Sequence, residues 1–182
     1  MDLSIVSRKI IETYLNEKKI LTIPELLLSG SEYLDTKHLS FVTLYKDGRV
    51  IASSGRVHIK KENTILELIE NTLFCLKDER FVEAIKNPLE LKNVKFRVDI
   101  ITNAQRKIIK NLDEVDPKTD WLILISQAYN SLGVILPNIT NMISTNKELF
   151  TLVCKKANID ESKLKDEDYV LYKIQSTVFS EF

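Results

Sequence analysis

Hydrophobic residues spaced three and four positions apart predict three amphipathic helices. In Leu3–Glu17 the apolar residues recur at this spacing with charged residues between them, and Asp2 precedes the segment as an N-cap. Thr64–Lys77 has the same pattern and can be capped by Asn63 or by its own first residue. Lys147–Asn158 is the third such segment, and between the last two we expect only a short turn near Phe81.

Runs of β-branched, aromatic or alternating residues predict the strands. Ser40–Tyr45 and Val50–Ser54 flank Asp47-Gly48, and an Asp-Gly pair between two such runs is a strong hairpin signal. Val94–Ile100 alternates apolar and polar residues, which predicts a strand with one solvent-exposed face. The remaining predicted strands are Trp121–Ser126, Gly133–Leu136 and one long terminal strand over Tyr169–Phe179.

The order of these elements favours an α+β fold. Helices and strands are mixed without regular βαβ alternation, so we expect a mostly antiparallel sheet flanked by helices. The chain has 182 residues, which suits one domain over residues 1–182, either undivided or as two lobes sharing a core. A chain of this length buries about 70% of its unfolded surface and needs no disulfide or metal to fold.

The net charge and the hydropathy of the chain limit the compartments and the partners that we expect. Twenty-six Lys and Arg balance 26 Asp and Glu, which argues against a general affinity for nucleic acid or anionic membranes. The basic stretch Arg106–Lys110 is either phosphate-attracting or a solvated face, and the lack of interleaved aromatics favours the second. The start of the chain has no signal-like segment, and no apolar run approaches the roughly 20 residues of a membrane span. We therefore expect a cytoplasmic protein with no nucleic-acid or membrane partner.

Motifs for metal, nucleotide or nucleophilic chemistry do not stand out. Cys75 and Cys154 lie in separate predicted helices; we expect buried core thiols, with a disulfide or a reactive thiol as the alternative. His38 and His58 are isolated, so no metal site is expected. The four glycines are too dispersed for a phosphate loop or a G-x-S-x-G elbow. No cofactor is predicted.

Three short segments remain as candidates for binding. Ser53-Ser54-Gly55 offers two hydroxyls and a side-chain-free backbone to an anion or polar ligand, or simply ends a strand. Arg80 is either a ligand clamp or the partner of Asp78 at a helix end. Pro137-Asn138, after an apolar run, is either a strand stop or the lip of a pocket.

Six motifs in the same order give the chain a resemblance to the AMMECR domain family, protein A of the AmmeMemoRadiSam system. Ser7–Leu15 is similar to the family's A-R-K-x-I-E-x-Y-L helix, and Phe41–Arg49 to its F-V-T-L-x-x-D-G-x hairpin. Lys77–Phe81 resembles R-D-P-R-F, with Glu79 in place of proline, and Gly133–Ile139 resembles G-L-L-L-P-Q-V. The last two matches are Leu152–Ala157 to L-C-x-K-A and Tyr172–Phe179 to Y-x-F-x-x-x-V-F.

The family's hallmark L-R-G-C-I-G is degenerate here. Val50–Gly55 stands in its place, with Ile51 for the arginine, Ser53 for the cysteine and only the last glycine retained. Asp120-Trp121 likewise replaces a His-Gly pair. The resemblance implies a two-lobed α+β fold with the hallmark segment lining a cleft, and residual binding through Ser53, Ser54, Gly55, Arg80, Pro137 and Asn138.

The resemblance implies a protein of undetermined biochemical role. Since serine is a weak nucleophile without a base beside it, we expect a non-catalytic binding or partner module. The alternative is an enzyme or enzyme subunit that acts with a radical-SAM or MEMO-like partner through the inter-lobe cleft. A third hypothesis is a nucleic-acid-associated module that binds through Arg106–Lys110.

Overall fold

A computed structural model describes residues 2–102, 105–116, 119–136 and 145–182. The chain divides into two compact units. The first comprises Met1–Thr102 and Ser176–Phe182, and the second comprises Asn103–Gln175. Each unit has its own antiparallel four-stranded sheet and its own apolar core, so the α+β prediction is confirmed, with two sheets instead of one.

The helices follow the predicted segments closely. They are α1 (Leu3–Glu17), α2 (Thr64–Phe74), α3 (Glu79–Ala84) and α4 (Asn146–Lys156). Asp2 and Asn63 cap α1 and α2, accepting hydrogen bonds from the backbone N–H groups of Ser4 and Leu66. Helix α3 is longer than the predicted turn because Asp78 also acts as an N-cap. No helix within the described ranges is long and apolar enough to cross a membrane.

The sheet of the first unit has the strand order β2-β1-β3-β8. Its strands are β1 (Leu39–Lys46), β2 (Arg49–Gly55), β3 (Val94–Ile101) and β8 (Thr177–Ser180). The predicted hairpin joins β1 to β2, with Asp47 and Gly48 at φ of 52° and 73° in its turn. Val42 and Leu44 lie on the face of β1 that packs into the core with α1 and α2. This arrangement leaves β2 as an edge strand.

Strand β3 lies between β1 and β8, and its predicted solvent-exposed face is wrong. The core-facing residues Phe96 and Val98 are fully buried, yet Arg97 and Asp99 are also buried, at 9% and 0% exposure. Their side chains form a bidentate ion pair with two 2.8 Å hydrogen bonds. A strand with neighbours on both edges can bury a polar face when its charges are paired in this way.

The sheet of the second unit has the order β4-β7-β5-β6. Its strands are β4 (Lys107–Ile109), β5 (Trp121–Ser126), β6 (Ser131–Ile135) and β7 (Val170–Ile174). Trp121 is fully buried, as its apolar run predicts. Helix α4 packs closely against β6 because Gly133 lacks a side chain: a Cβ there would lie 2.3 Å from the carbonyl oxygen of Val153.

The prediction of one long terminal strand is wrong. β7 belongs to the sheet of the second unit and β8 to that of the first, with Gln175 and Ser176 between them. The Gln175 amide donates to Asp120 at 2.8 Å, whereas the Ser176 hydroxyl donates to Asp99 at 2.6 Å. These two polar side chains are anchored in different units, and this is where the strand ends.

Candidate functional site: the free edge of β2 and the start of α3

Ser53, the position at which the resemblance implies cysteine, lies on the edge strand β2. Its side chain is cross-strand from Thr43, and the two hydroxyl oxygens are 3.3 Å apart. Its backbone N–H points off the free edge of the sheet and donates to Oδ2 of Asp78 at 3.2 Å. Among the described residues, the Thr43 hydroxyl is the one hydrogen-bond partner of the Ser53 hydroxyl.

Asp78 joins this edge to helix α3 and to Arg80. Its Oδ1 accepts hydrogen bonds from the Arg80 backbone N–H at 3.1 Å and from Nε at 3.0 Å, while Oδ2 accepts from Nη2 at 2.6 Å. The Arg80 guanidinium, followed by the backbone N–H groups of Arg80 and Ser53, holds the pKa of the Asp78 carboxyl below its usual range despite partial burial. Asp78 is thus a fixed anion that closes the edge of the sheet.

Arg80 is half exposed and lines an open groove of about 770 Å³. Its Nη1 has no hydrogen-bond partner in the described part of the chain, so these N–H donors are available to a ligand. Arg49 and Lys46 also line the groove, opposed by Asp47 and Glu83. Lys46 is held by Glu90 at 2.6 Å and Arg80 by Asp78, whereas Arg49 makes no ion pair among the described residues.

The three residues of the predicted Ser53-Ser54-Gly55 site do not share one face of β2. Successive residues of a strand point to opposite faces, and Ser54 pairs with Val42 on the core side, where its backbone also meets the Cys75 thiol. Gly55 pairs with Phe41, whose ring covers it: a Cβ at position 55 would lie 2.1 Å from Cδ1 of that ring. Gly55 is therefore required by packing.

A polar row that the sequence did not reveal crosses the sheet beside Ser53. Register places Ser53, Thr43 and Arg97 side by side on β2, β1 and β3. Arg97 is oriented by Asp99 and also bonds the Tyr45 hydroxyl, whose pKa is raised, chiefly by burial. The only sequence signal was the alternation within β3, which we had assigned to a solvent-exposed face.

Both cysteines are free, buried thiols, as predicted. Burial raises the pKa of Cys75 to about 12 and that of Cys154 to about 11. Cys75 instead donates a weak hydrogen bond to the carbonyl of Val42, at 3.6 Å. A thiol with so high a pKa is neutral at pH 7 and is a poor nucleophile, so neither cysteine replaces the one missing at position 53.

Two of the predicted site residues, Pro137 and Asn138, lie outside the described residues. Of the others, the structure joins Ser53 to Arg80 through Asp78, with Ser54 paired to Val42 and Gly55 covered by the Phe41 ring. In the described ranges no group of three or more His, Cys, Asp or Glu side chains is arranged to hold a metal ion. What remains at this edge is a groove lined by charged side chains of both signs, beside a hydroxyl that has no general base among the described residues.

Comparison with known proteins gives a family and a fold. The AMMECR1 family model matches residues 4–179. The crystal structure of an uncharacterised protein from Pyrococcus horikoshii is similar, with a TM-score of 0.74 and 22% sequence identity over 98% of this chain and 89% of that one. No curated protein sequence matches the chain.

Proposed function

Since the chain belongs to the AMMECR1 family, we propose that it is a binding module of that family, one that holds an anionic partner or ligand without covalent catalysis. The observation that carries this proposal is the surroundings of Ser53. Its hydroxyl meets only another hydroxyl among the described residues, and its backbone N–H is bound to Asp78.

A nucleophilic serine needs a group that removes its proton in the attack. Asp78 is the carboxylate at this edge, but it accepts from the Ser53 backbone and is held by Arg80. Because these contacts lower the pKa of Asp78, they make it a weak base. Residue 53 then takes part in no reaction, and the degenerate hallmark motif marks the loss of any reaction that the resemblance attaches to a cysteine there.

Binding is assigned to the groove beside Arg80. A guanidinium presents paired donors that suit carboxylate and phosphate groups, and Asp78 fixes its plane while leaving Nη1 available. Arg49 supplies a second exposed cation on the wall of the same groove. Such an arrangement favours an acidic group on a partner protein or a small anion, and it needs no reaction step.

A cytoplasmic MEMO-like or radical-SAM protein is the partner we propose. The family resemblance supports that choice, and the free thiols support a reducing compartment. Biolayer interferometry measures whether the purified MEMO-like or radical-SAM protein binds the full chain. We expect Arg80→Ala to weaken this binding about tenfold. If neither protein binds, the proposed partner is wrong. The absence of catalysis is tested separately, by complementation.

Complementation tests the non-catalytic role. In a strain that lacks the gene, the Ser53→Ala variant is expected to restore the wild-type phenotype fully, because the hydroxyl that it removes takes part in no reaction. Arg80→Ala is expected to fail at equal protein abundance, since it removes the cation that binds the partner. Failure of Ser53→Ala, with unchanged abundance and thermal unfolding, would overturn the proposal.

A further inference from the structure

A second groove, separate from the β2 edge, lies within the first unit between α1, α2 and α3. It has a volume of about 590 Å³, within the range of small-molecule sites. We call it the helix groove. Its walls are mostly apolar and aromatic, and those used below are Tyr14, Ile20, Leu73, Phe74 and Val82.

Three apolar side chains that line the helix groove are exposed to water over a large part of their surface. Ile20, Val82 and Phe74 are 55%, 53% and 37% exposed. They come from the segment that follows α1, from α3 and from α2, and all three line the same groove. Exposed apolar clusters of this kind mark binding surfaces more often than single exposed residues do.

Within the described ranges, the lysines at the helix groove are unpaired, whereas the carboxylate that lines it is paired. The ammonium of Lys77 lies 4.9 Å from the centroid of the Phe74 ring, and that of Lys18 lies 5.7 Å from the Tyr14 ring. Neither lysine has a carboxylate partner among the described residues. The carboxylate that lines the groove, Glu70, is already held by Arg56 and by Lys61 at 2.9 Å.

We propose that the helix groove binds an apolar carboxylic acid. The aliphatic or aromatic body lies against Leu73, Phe74 and Val82, where its burial removes apolar surface from water. The carboxylate faces Lys77 and Lys18, which the aromatic faces already hold at the rim. The neutralised Glu70 does not oppose it. This site is independent of the binding role assigned to Arg80.

Three compounds with the same ten-carbon chain test the proposal by calorimetric titration of the full chain, the two ionic ones below their micelle concentrations and decan-1-ol below its solubility limit. Decanoate is expected to bind saturably and about tenfold more tightly than decyltrimethylammonium, with decan-1-ol between them. Equal binding of all three, or no saturable binding of decanoate, overturns the proposal.

Variants locate the site. Lys77→Ala is expected to weaken decanoate at least threefold and to leave decan-1-ol unchanged, because it removes charge and little apolar wall. Val82→Asp, at a half-exposed helix position, is expected to abolish binding of both. Lys92→Ala removes an exposed lysine that does not line the groove and serves as the matched control. Unchanged decanoate binding by Val82→Asp would place the ligand elsewhere and contradict the proposal.

Discussion

Ser53 and Gly55 lie two positions apart on the same face of β2, but different forces fix them. Ser53 faces a hydroxyl on β1, whereas Gly55 faces the ring of Phe41, which fills the space of a side chain. Packing therefore accounts for the retained glycine of the hallmark segment, and ligand binding at Gly55 stays a prediction. At the scale of single residues, packing explains position 55 and hydrogen bonding explains position 53.

Gly55→Ala tests the packing explanation. The added methyl group would overlap the Phe41 ring, and forced overpacking of this kind costs about 1–3 kcal/mol. Chemical unfolding measures the cost. In a Phe41→Ala background the same change should cost less than about 0.5 kcal/mol, because the obstacle is gone. An equal cost in both backgrounds would refute the contact.

The backbone of Leu27 is in the strained left-handed region, and no burial of its side chain compensates for that strain. It has a φ of 56° and is 81% exposed. Leu27→Gly should stabilise the protein by about 0.5–1 kcal/mol, since relief of the left-handed strain exceeds glycine's entropic cost. Leu89, 75% exposed and without a positive φ, is the matched control, and Leu89→Gly should destabilise. Thermal unfolding of both variants decides the point.

At the scale of elements, Asp78 links the start of α3 to the free edge of β2. It caps the helix, orients Arg80 and satisfies a backbone N–H that an edge strand leaves open. One carboxylate thus fixes the position of α3 and of the groove beside it. Its charge state should couple the stability of this region to pH.

Asp78→Asn tests that coupling. The folded pKa of Asp78 lies below its unfolded value, so its contribution to stability is full above about pH 4 and is lost as the pH falls through the folded pKa. Asparagine retains the helix cap without the charge. The free energy of unfolding should therefore fall less steeply with acid in the variant than in the wild type.

Asp35→Asn is the control, because Asp35 is exposed and makes no ion pair in the described residues. Its acid profile should follow that of the wild type. Parallel acid profiles for Asp78→Asn and the wild type would show that the ion pair with Arg80 contributes nothing.

Local patterns predicted the elements whose partners are near in sequence. The periodicity of α1 and α2 and the turn of the β1–β2 hairpin were sufficient, since caps and turn residues act within a few positions. The break between β7 and β8 was missed because both halves have strand-like sequences and only their distant partners separate them. The burial of β3 likewise depends on strands far along the chain.

The site was predictable only in part, for the same reason. Ser53 and Arg80 were singled out, but their connection through Asp78 joins residues 25 positions apart and appears only in the fold. Arg97 was overlooked because its ion pair with Asp99 hides two charges inside a sheet. The helix groove combines three helical segments, none of which shows by its own pattern that its exposed residues meet.

At the scale of the whole molecule, each unit has its own core and one buried thiol. Cys75 lies in the first unit and Cys154 in the second, and neither is ionised near pH 7. Reactive side chains are thus enclosed, while cations and apolar residues line the two grooves described above. The function that we propose is binding at this surface, and it requires that Ser53 is not an activated nucleophile.

Treatment of the native protein with a fluorophosphonate, followed by peptide-resolved mass spectrometry, tests that claim most directly. Such electrophiles modify serines that a neighbouring base activates. A known serine hydrolase serves as the positive control and Ser53→Ala as the negative one. We expect the Ser53 peptide to stay unmodified under conditions that fully label the hydrolase; stoichiometric phosphonylation of Ser53 would show that it is an activated nucleophile.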